Sequence, residues 1–309
     1  MKTSAFSHNS VLLQESICGL NIKSDGIYVD GTAGGAGHSI EIAKKLTSGK
    51  LFAFDRDPDA VEVCEDRLSK YPVEVINDNF CEMEHCLKER NVYEVDGVLI
   101  DLGVSSYQLD NPERGFSYRH DGILDMRMSK DGFTAADVVN GYSEVDLTHI
   151  LRKYGEEKFS RAIARNIVKR RGQKPIERTS ELADIIKYSI PAKARRDKNP
   201  CKRSFQAIRI VVNGELDSLE SGIECAFNML KPGGRLAIIT FHSLEDRIVK
   251  HKYIDWSKGC ICSPGSPICI CGNVPMAKII NKKAIEPSEQ EKKNNRRSQS
   301  AKLRILEKL

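Results

Sequence analysis

Asp30-Gly31-Thr32-Ala33-Gly34-Gly35-Ala36-Gly37-His38 sets an acid directly before a glycine-rich turn, and Asp55 and Asp101 close two later apolar runs. A turn of this composition lets a ligand come close to the backbone. A dinucleotide fingerprint would read G-x-G-x-x-G, but from Gly35 the third glycine position is Ile40, which damages the grip on a pyrophosphate. Acids at strand ends suit another ligand, one with an amino acid end, a sulfonium and a ribose, as in S-adenosylmethionine. On this reading Asp30 holds the amino group directly or through water, and Asp55 bonds the ribose hydroxyls. Residues Asn77 to Phe80 then bracket the adenine. A turn that only packs a helix on a strand would look alike; the accompanying Asp55 favours the ligand.

A second constellation lies near the C-terminus, where Cys260-Ile-Cys262 and Cys269-Ile-Cys271 flank a turn containing Pro264, Gly265 and Pro267. Four thiolates suit tetrahedral zinc, although C-x-C is tighter than the usual C-x₂₋₄-C spacing. Thiols without metal, or a redox pair, are the competing readings. Any zinc here would be structural. The other six cysteines (Cys18, Cys64, Cys81, Cys86, Cys201, Cys225) follow no ligand-like spacing and read as reduced thiols.

The elements that must position these residues alternate through the first hundred positions. Ile27 to Asp30, Leu51 to Asp55, Val73 to Ile76 and Val98 to Asp101 read as strands, with helices such as Ser39 to Leu46 and Asp59 to Leu68 between them. That order predicts a parallel sheet, whose ligands bind beyond the carboxyl ends of the strands, where Asp30, Asp55 and Asp101 fall. After Asp110 the pattern becomes loop-rich and then helical, over Ala135 to Asn140, Glu144 to Lys153, Phe159 to Arg171 and Ser180 to Ser189. One long helix is expected from about Ser204 to Leu230, stopped by Lys231-Pro232-Gly233-Gly234, before a buried strand Arg235 to Phe241. Ala277 to Ile285 and Ala301 to Leu306 are expected to form a final antiparallel pair. The expected division is therefore 1–110 and 206–309 for an α/β domain, with 111–205 as an inserted helical lobe.

Charge singles out that lobe. The chain carries +5 in total, yet Leu151 to Gly214 holds 18 Lys or Arg against 6 Asp or Glu. An excess this local points to a phosphate-rich partner such as nucleic acid. No run of 18 apolar residues and no leader-like N-terminus is present, so a soluble, cytoplasmic protein with no membrane partner is expected.

The segments His8 to Leu13 (HNSVLL), Asp30 to Ser39 (DGTAGGAGHS), Asp55 to Pro58 (DRDP), Asp101 to Gln108 (DLGVSSYQ), Arg114 to Asp125 (RGFSYRHDGILD), Met126 to Met128 (MRM) and Phe241 to Val249 (FHSLEDRIV) closely resemble the bacterial RsmH family, also called MraW. The match runs over nearly the whole chain. The resemblance implies a class I methyltransferase fold, a Rossmann-like α/β sheet with an inserted α-helical domain. It also implies methylation of N4 of a cytidine in the decoding region of 16S ribosomal RNA, with S-adenosylmethionine as donor. The partner implied is 16S ribosomal RNA within the small ribosomal subunit, and no DNA is expected. By the same resemblance the cofactor contacts fall on Gly35, Ala36, Gly37, His38, Asp55, Phe80, Asp101 and Gln108. Ala36 stands where some relatives have glycine; the position need only be small.

An exocyclic cytosine amine is a poor nucleophile because its lone pair is delocalised into the ring. Catalysis therefore needs alignment and an acceptor for the amine hydrogens. Asp101 is one candidate acceptor. The sequence Asp101-Leu102-Gly103-Val104-Ser105-Ser106 departs from the D-P-P-Y pattern of amine methyltransferases that act on DNA, so their proline-carbonyl mechanism is not carried over. His242 and Ser243 lie beyond the fifth strand on the same edge and are further candidates. Ser243 with Asp246 also reads as a capping box opening a helix from Leu244 to Tyr253. The cytosine must be unpaired to be reached, and Arg161, Arg165, Lys169, Arg170, Arg171, Arg195, Arg196, Lys202 and Arg203 would grip phosphates around it. A DNA or protein methyltransferase, a nicotinamide oxidoreductase and a non-catalytic ribosome assembly factor are the competing readings.

Overall fold

A computed structural model describes residues 10–195, 199–260, 262 and 271–309. The chain divides into two compact units, Met1–Gly103 with Ser218–Leu309, and Val104–Asp217. These limits lie outside the 111–205 expected for the insertion.

In the first unit the elements run α1 (Leu13–Leu20), β1 (Ile27–Asp30), α2 (Gly37–Ala43), β2 (Lys50–Phe54), α3 (Pro58–Leu68), β3 (Val73–Ile76), α4 (Met83–Glu89) and β4 (Val95–Asp101). The second unit contributes α5 (Ser106–Asp110), α6 (Ala135–Gly141), α7 (Glu144–Lys153), α8 (Ser160–Arg171), α9 (Thr179–Ser189), α10 (Ala192–Arg195) and α11 (Cys201–Asn213). After α12 (Glu215–Met229) the first unit resumes with β5 (Leu230–Thr240), α13 (Ser243–Ser257), β6 (Ala277–Ile279), α14 (Glu289–Asn294) and β7 (Lys302–Lys308).

The sheet has seven strands in the order β3-β2-β1-β4-β5-β7-β6. Strands β1 to β5 pair in parallel, and β7 is antiparallel to both β5 and β6. The expected C-terminal antiparallel pair is present, with Ala277 opposite Lys308 and Ile279 opposite Leu306. Strand order reverses between β1 and β4, and in open α/β sheets that reversal opens a crevice beyond the strand ends. Both faces of the sheet are covered. Val29, Phe52, Val98, Ile100, Leu236 and Ile238 pack against Leu219, Ile223 and Phe227 of α12 and Val249, Tyr253 and Trp256 of α13. Tyr28, Leu51, Leu99, Ala237 and Ile239 turn the other way, against Ile17 and Leu20 of α1 and Ile42 of α2. Alternate residues serve opposite cores, which is why 51–54, 98–100 and 236–239 read as unbroken apolar runs.

Two expectations are corrected. The long helix from Ser204 is interrupted at Gly214, which has φ 56° and ψ 35° and caps α11 in the left-handed region that glycine enters without steric cost. Apolar periodicity continues on both sides, so the break leaves no trace in the pattern. The run Lys231-Pro232-Gly233-Gly234 does not precede β5 but lies within it. Val95 pairs with Leu230 and Gly97 with Arg235, so the extra residues bulge out of the ladder.

The helical unit has its own core, built from Leu147, Ile150 and Leu151 of α7, Ile163, Ala164 and Ile167 of α8, Leu182 and Ile186 of α9, and Phe205 and Ile208 of α11. Asn213 at the end of α11 accepts from the Met128 amide at 2.8 Å and donates to the Met126 carbonyl at 2.7 Å. These two bonds hold the loop before α6.

Candidate functional site

The carboxyl ends of β1, β2 and β4 bring Asp30, Asp55 and Asp101 to one edge of the sheet. Asp30 is 1% exposed; one carboxylate oxygen accepts from the Thr32 amide at 3.1 Å and the other from the Ser39 hydroxyl at 2.6 Å. In this arrangement it braces the turn from within. Thr32 in turn accepts from the Asp101 amide at 2.6 Å, so the β1 turn and the end of β4 are joined.

The glycine turn is tied equally firmly to β2 and α3. Asp55 accepts from the Gly34 amide at 2.7 Å and from the Asp57 amide at 2.8 Å. A carboxylate has about four lone-pair sites, so Asp55 keeps capacity for two hydroxyl donors. Cys64 donates to the Gly34 carbonyl at 3.3 Å, and the Arg67 guanidinium donates to the carbonyl of Gly35. Gly34 has φ 52° and Ala36 φ 64°, and the latter directly precedes Gly37 and His38 in the first turn of α2. Ala36 thus holds a left-handed conformation, which costs an L-residue roughly 1–2 kcal/mol. Small size is not all this position asks for.

His38 is 5% exposed, and its Nε2 faces the Val11 carbonyl at 3.1 Å. A carbonyl only accepts, so Nε2 carries the proton and the Nδ1 lone pair of the neutral ring faces Asp101 Oδ2 at 3.6 Å. Burial lowers His38 to a pKa of about 4. Asp101 Oδ1 is a buried oxygen that has no hydrogen-bond partner among the described residues.

Burial dominates the electrostatics of this edge. It pushes Asp30 up to about 6, against the pull of the Ser39 and Thr32 hydrogen bonds. Asp55 rises to about 6 for the same reason, with the Asp57 and Asp30 charges adding to it. Asp101 is raised well above the carboxylate range by burial and by the charges of Asp30 and Glu245. The Asp30 charge thus bears on both Asp55 and Asp101, and a ligand with cationic groups relieves that repulsion. The donor set therefore fits S-adenosylmethionine, which brings an ammonium, a sulfonium and two ribose hydroxyls.

Phe80, beyond β3, is 8% exposed and lies against α12; a Cβ built on Gly222 would come within 2.2 Å of its ring. Asn77 donates to the Asp55 carbonyl at 2.9 Å, which holds the β3 loop beside β2. Gln108 belongs to the helical unit, where it completes a capping box with Ser105 through bonds of 3.0 and 3.2 Å.

At the end of β5 the helix cap is one residue earlier than the sequence suggests. His242, not Ser243, is the N-cap of α13, accepting the Glu245 amide on Nδ1 at 3.3 Å. Glu245 accepts in return from the amides of Phe241 at 2.7 Å and His242 at 3.1 Å. His242 Nε2 lies 3.0 Å from Glu245 Oε1 but without the alignment of a hydrogen bond. Asp246, expected to cap, instead takes a bidentate pair from Arg304 of β7 at 2.7 and 3.2 Å. Glu245, Thr32 and Ser39 were not singled out in the sequence. Only the Glu at the third helical position carried a signal, as the acidic partner of a cap at 242.

Of the four clustered cysteines, Cys260, Cys262 and Cys271 come together, with their sulfurs within 4.8 Å of one another. Cys269 lies outside the described residues. In the helical unit, Arg161, Arg165 and Lys169 are exposed and recur every fourth residue on one face of α8. Arg171 is used internally, donating to the Val139 carbonyl at 2.6 Å, and Arg195 donates to the Ile190 carbonyl at 2.8 Å. Arg196 lies outside the described residues. Among those described, no helix is long and apolar enough to cross a membrane.

A parallel sheet of this strand order, extended by an antiparallel β7, with a glycine turn after β1 and acids at the first, second and fourth strand ends, defines a class I methyltransferase. The profile of the MraW methylase family matches residues 5–309, and the chain belongs to that family. "Ribosomal RNA small subunit methyltransferase H" of Clostridium botulinum (strain Loch Maree / Type A3) is 54% identical over 307 residues, 98% of this chain and 99% of that protein. Proteins of the same name from Lachnospira eligens and Brevibacillus brevis are each 51% identical, covering 98% and 100% of this chain and 98% and 100% of their own lengths. Among solved structures, an rRNA methylase from Streptococcus thermophilus aligns over 98% of this chain and 99% of its own at 13% identity and a TM-score of 0.43.

Proposed function

We propose that this protein transfers a methyl group from S-adenosylmethionine to N4 of a cytidine in the decoding region of 16S ribosomal RNA, acting in the cytoplasm on the small subunit or its precursor. Membership of a methylase family and relatives named for ribosomal RNA of the small subunit support the substrate class. The observation that carries the enzymatic reading is Asp101, a half-buried carboxyl at the end of β4 whose buried Oδ1 lacks a hydrogen-bond partner among the described residues.

In this reading Asp55 holds the ribose hydroxyls, Asp30 and Asp101 balance the cationic end of the cofactor, and the backbone of Gly35 to His38 shapes the floor. Phe80 borders the adenine. When bound, S-adenosylmethionine supplies an electrophilic methyl group. Asp101 accepts a hydrogen bond from the cytosine amine, which favours the pyramidal nitrogen needed for attack, and receives a proton once that nitrogen becomes cationic. His38, neutral with its Nδ1 lone pair toward Asp101, is placed to share that proton. His242 and Ser243 border the target base. The helical unit grips phosphates of the RNA, with Arg161, Arg165 and Lys169 as its exposed stripe.

Transfer of radiolabelled methyl to small subunits from cells lacking this protein, followed by nucleoside mass spectrometry, tests the reading. N4-methylcytidine is expected. Labelling of naked DNA in its place would make the protein a DNA methyltransferase, and cofactor binding without transfer to any substrate would make it an assembly factor.

A further inference from the structure

The methyl-transfer reading leaves the cysteines between α13 and β6 without a role. Cys260, Cys262 and Cys271 place three sulfurs within 4.8 Å of one another. The Sγ atoms of Cys271 and Cys260 are 3.8 Å apart. A disulfide would need about 2.05 Å between them. Four thiolates at the usual zinc–sulfur length of about 2.3 Å, set tetrahedrally, stand about 3.8 Å from each other. The spacing is therefore that of two ligands of one zinc ion.

Local hydrogen bonding points the same way. The Cys262 amide donates to Cys260 Sγ at 3.4 Å, which fixes that sulfur beside its neighbours. The base of the loop is closed on both sides. Asn273 donates through Nδ2 to the Lys258 carbonyl at 3.0 Å and to that of Gly259. The Met276 amide donates to the Trp256 carbonyl at 2.8 Å. Cys260 and Cys271 thus adjoin a stem pinned from both sides by these bonds.

We propose that Cys260, Cys262 and Cys271 bind one zinc ion, which staples the connection between α13 and β6. Each coordinating thiol releases its proton to solvent, and three thiolates around a divalent cation leave room in the tetrahedron for one further ligand. The ion has no part in methyl transfer; its effect is to tie Cys260 and Cys262, just after α13, to Cys271, ahead of β6.

The test uses the full-length protein, purified without chelator and dialysed. Elemental analysis is expected to find close to one zinc per chain, and replacement by cobalt(II) to give the intense visible bands of a tetrahedral thiolate site. Cys260→Ser and Cys271→Ser should each lose most of the metal, whereas Cys81→Ser and Cys225→Ser, which lie outside the cluster, should retain it. Because a ligand variant could unfold, thiol labelling of the wild-type protein provides a second reading. A chelator should expose at least three additional reactive thiols while the far-ultraviolet circular dichroism stays unchanged. Protein that binds neither zinc nor cobalt, or that keeps its metal in both ligand variants, overturns the proposal. So does a disulfide among these cysteines in protein prepared under reducing conditions.

Discussion

His38 Nδ1 lies 3.6 Å from Asp101 Oδ2, while the other ring nitrogen of His38 is committed to the Val11 carbonyl at 3.1 Å. A lone pair therefore faces the carboxyl, and burial both lowers His38 to about 4 and raises Asp101. A proton released by the methylated amine would be held between them. Asp101→Asn keeps the shape and removes the ionisable acceptor. Turnover is expected to fall by about 10²-fold or more, within the range of general acid–base contributions, while cofactor affinity measured by calorimetry changes far less. Full turnover with unchanged cofactor affinity would remove Asp101 from the chemistry.

Cofactor affinity should depend on pH. Asp30 and Asp55 both titrate near 6 in the folded protein because they are buried. Binding of a cationic ligand favours their ionised forms, so the dissociation constant should decrease as pH rises from about 5 to 7, with protons released on binding. Calorimetry in buffers of different ionisation enthalpy counts those protons. Affinity that is flat over this range would contradict the assignment of these acids to the cofactor.

The same two acids set a trend in the stability of the ligand-free protein. Their folded pKa values lie above the unfolded ones, so the stabilisation they contribute is complete below about 4 and is lost as pH rises through about 6. Each shift corresponds to at most about 3 kcal/mol. Substituting Asn for Asp30 should flatten this part of a denaturant-midpoint profile against pH.

Asp246 should matter for stability rather than for catalysis. Burial would lift its carboxyl, but Arg304 and Lys302 more than offset this and hold it below the usual range. Asp246→Ala leaves a half-buried guanidinium without its bidentate partner, and a loss of about 2–4 kcal/mol is expected. Chemical denaturation measures it. A loss under about 0.5 kcal/mol would place the pair with ordinary surface bridges.

Gly222 should tolerate no side chain. Its Cβ would meet Phe80 at 2.2 and 2.4 Å, and Phe80 is walled in by the core. Gly222→Ala is expected to cost about 1–3 kcal/mol by overpacking and, by shifting Phe80, to weaken cofactor binding in titrations. Wild-type affinity in a destabilised variant would separate Phe80 from the cofactor.

Glutamate substitution of Arg161, Arg165 and Lys169 together should weaken binding to ribosomal RNA across sequences. It should also lower the slope of log affinity against log salt by about one for every phosphate no longer neutralised. Arg171→Ala should instead destabilise the helical unit, since that side chain is bonded to the Val139 carbonyl. An unchanged salt slope would move the RNA-binding surface elsewhere.

The amino-acid sequence by itself determined the alternation of strands and helices, the three acids at strand ends and the basic character of the inserted segment. Each is written in short-range pattern: alternate burial along a strand, an acid closing an apolar run, cations spaced along a helix. β1 and β3 fall at their expected limits, and α7 spans Glu144–Lys153 as its spacing predicts. Only the tertiary structure decided what depends on residues far apart in the chain. The break at Gly214 rests on one left-handed residue between two amphipathic helices, and periodicity does not register a single φ angle. The cap on α13 falls at His242, closed by Glu245, while Asp246 pairs with Arg304, fifty-eight positions away. Asp30 took Ser39 and Thr32 as partners, Asp55 took the Gly34 amide, and Arg171 turned inward to a carbonyl of α6. Local sequence specifies which groups can donate or accept; the fold specifies which of them meet, and burial then sets their charge.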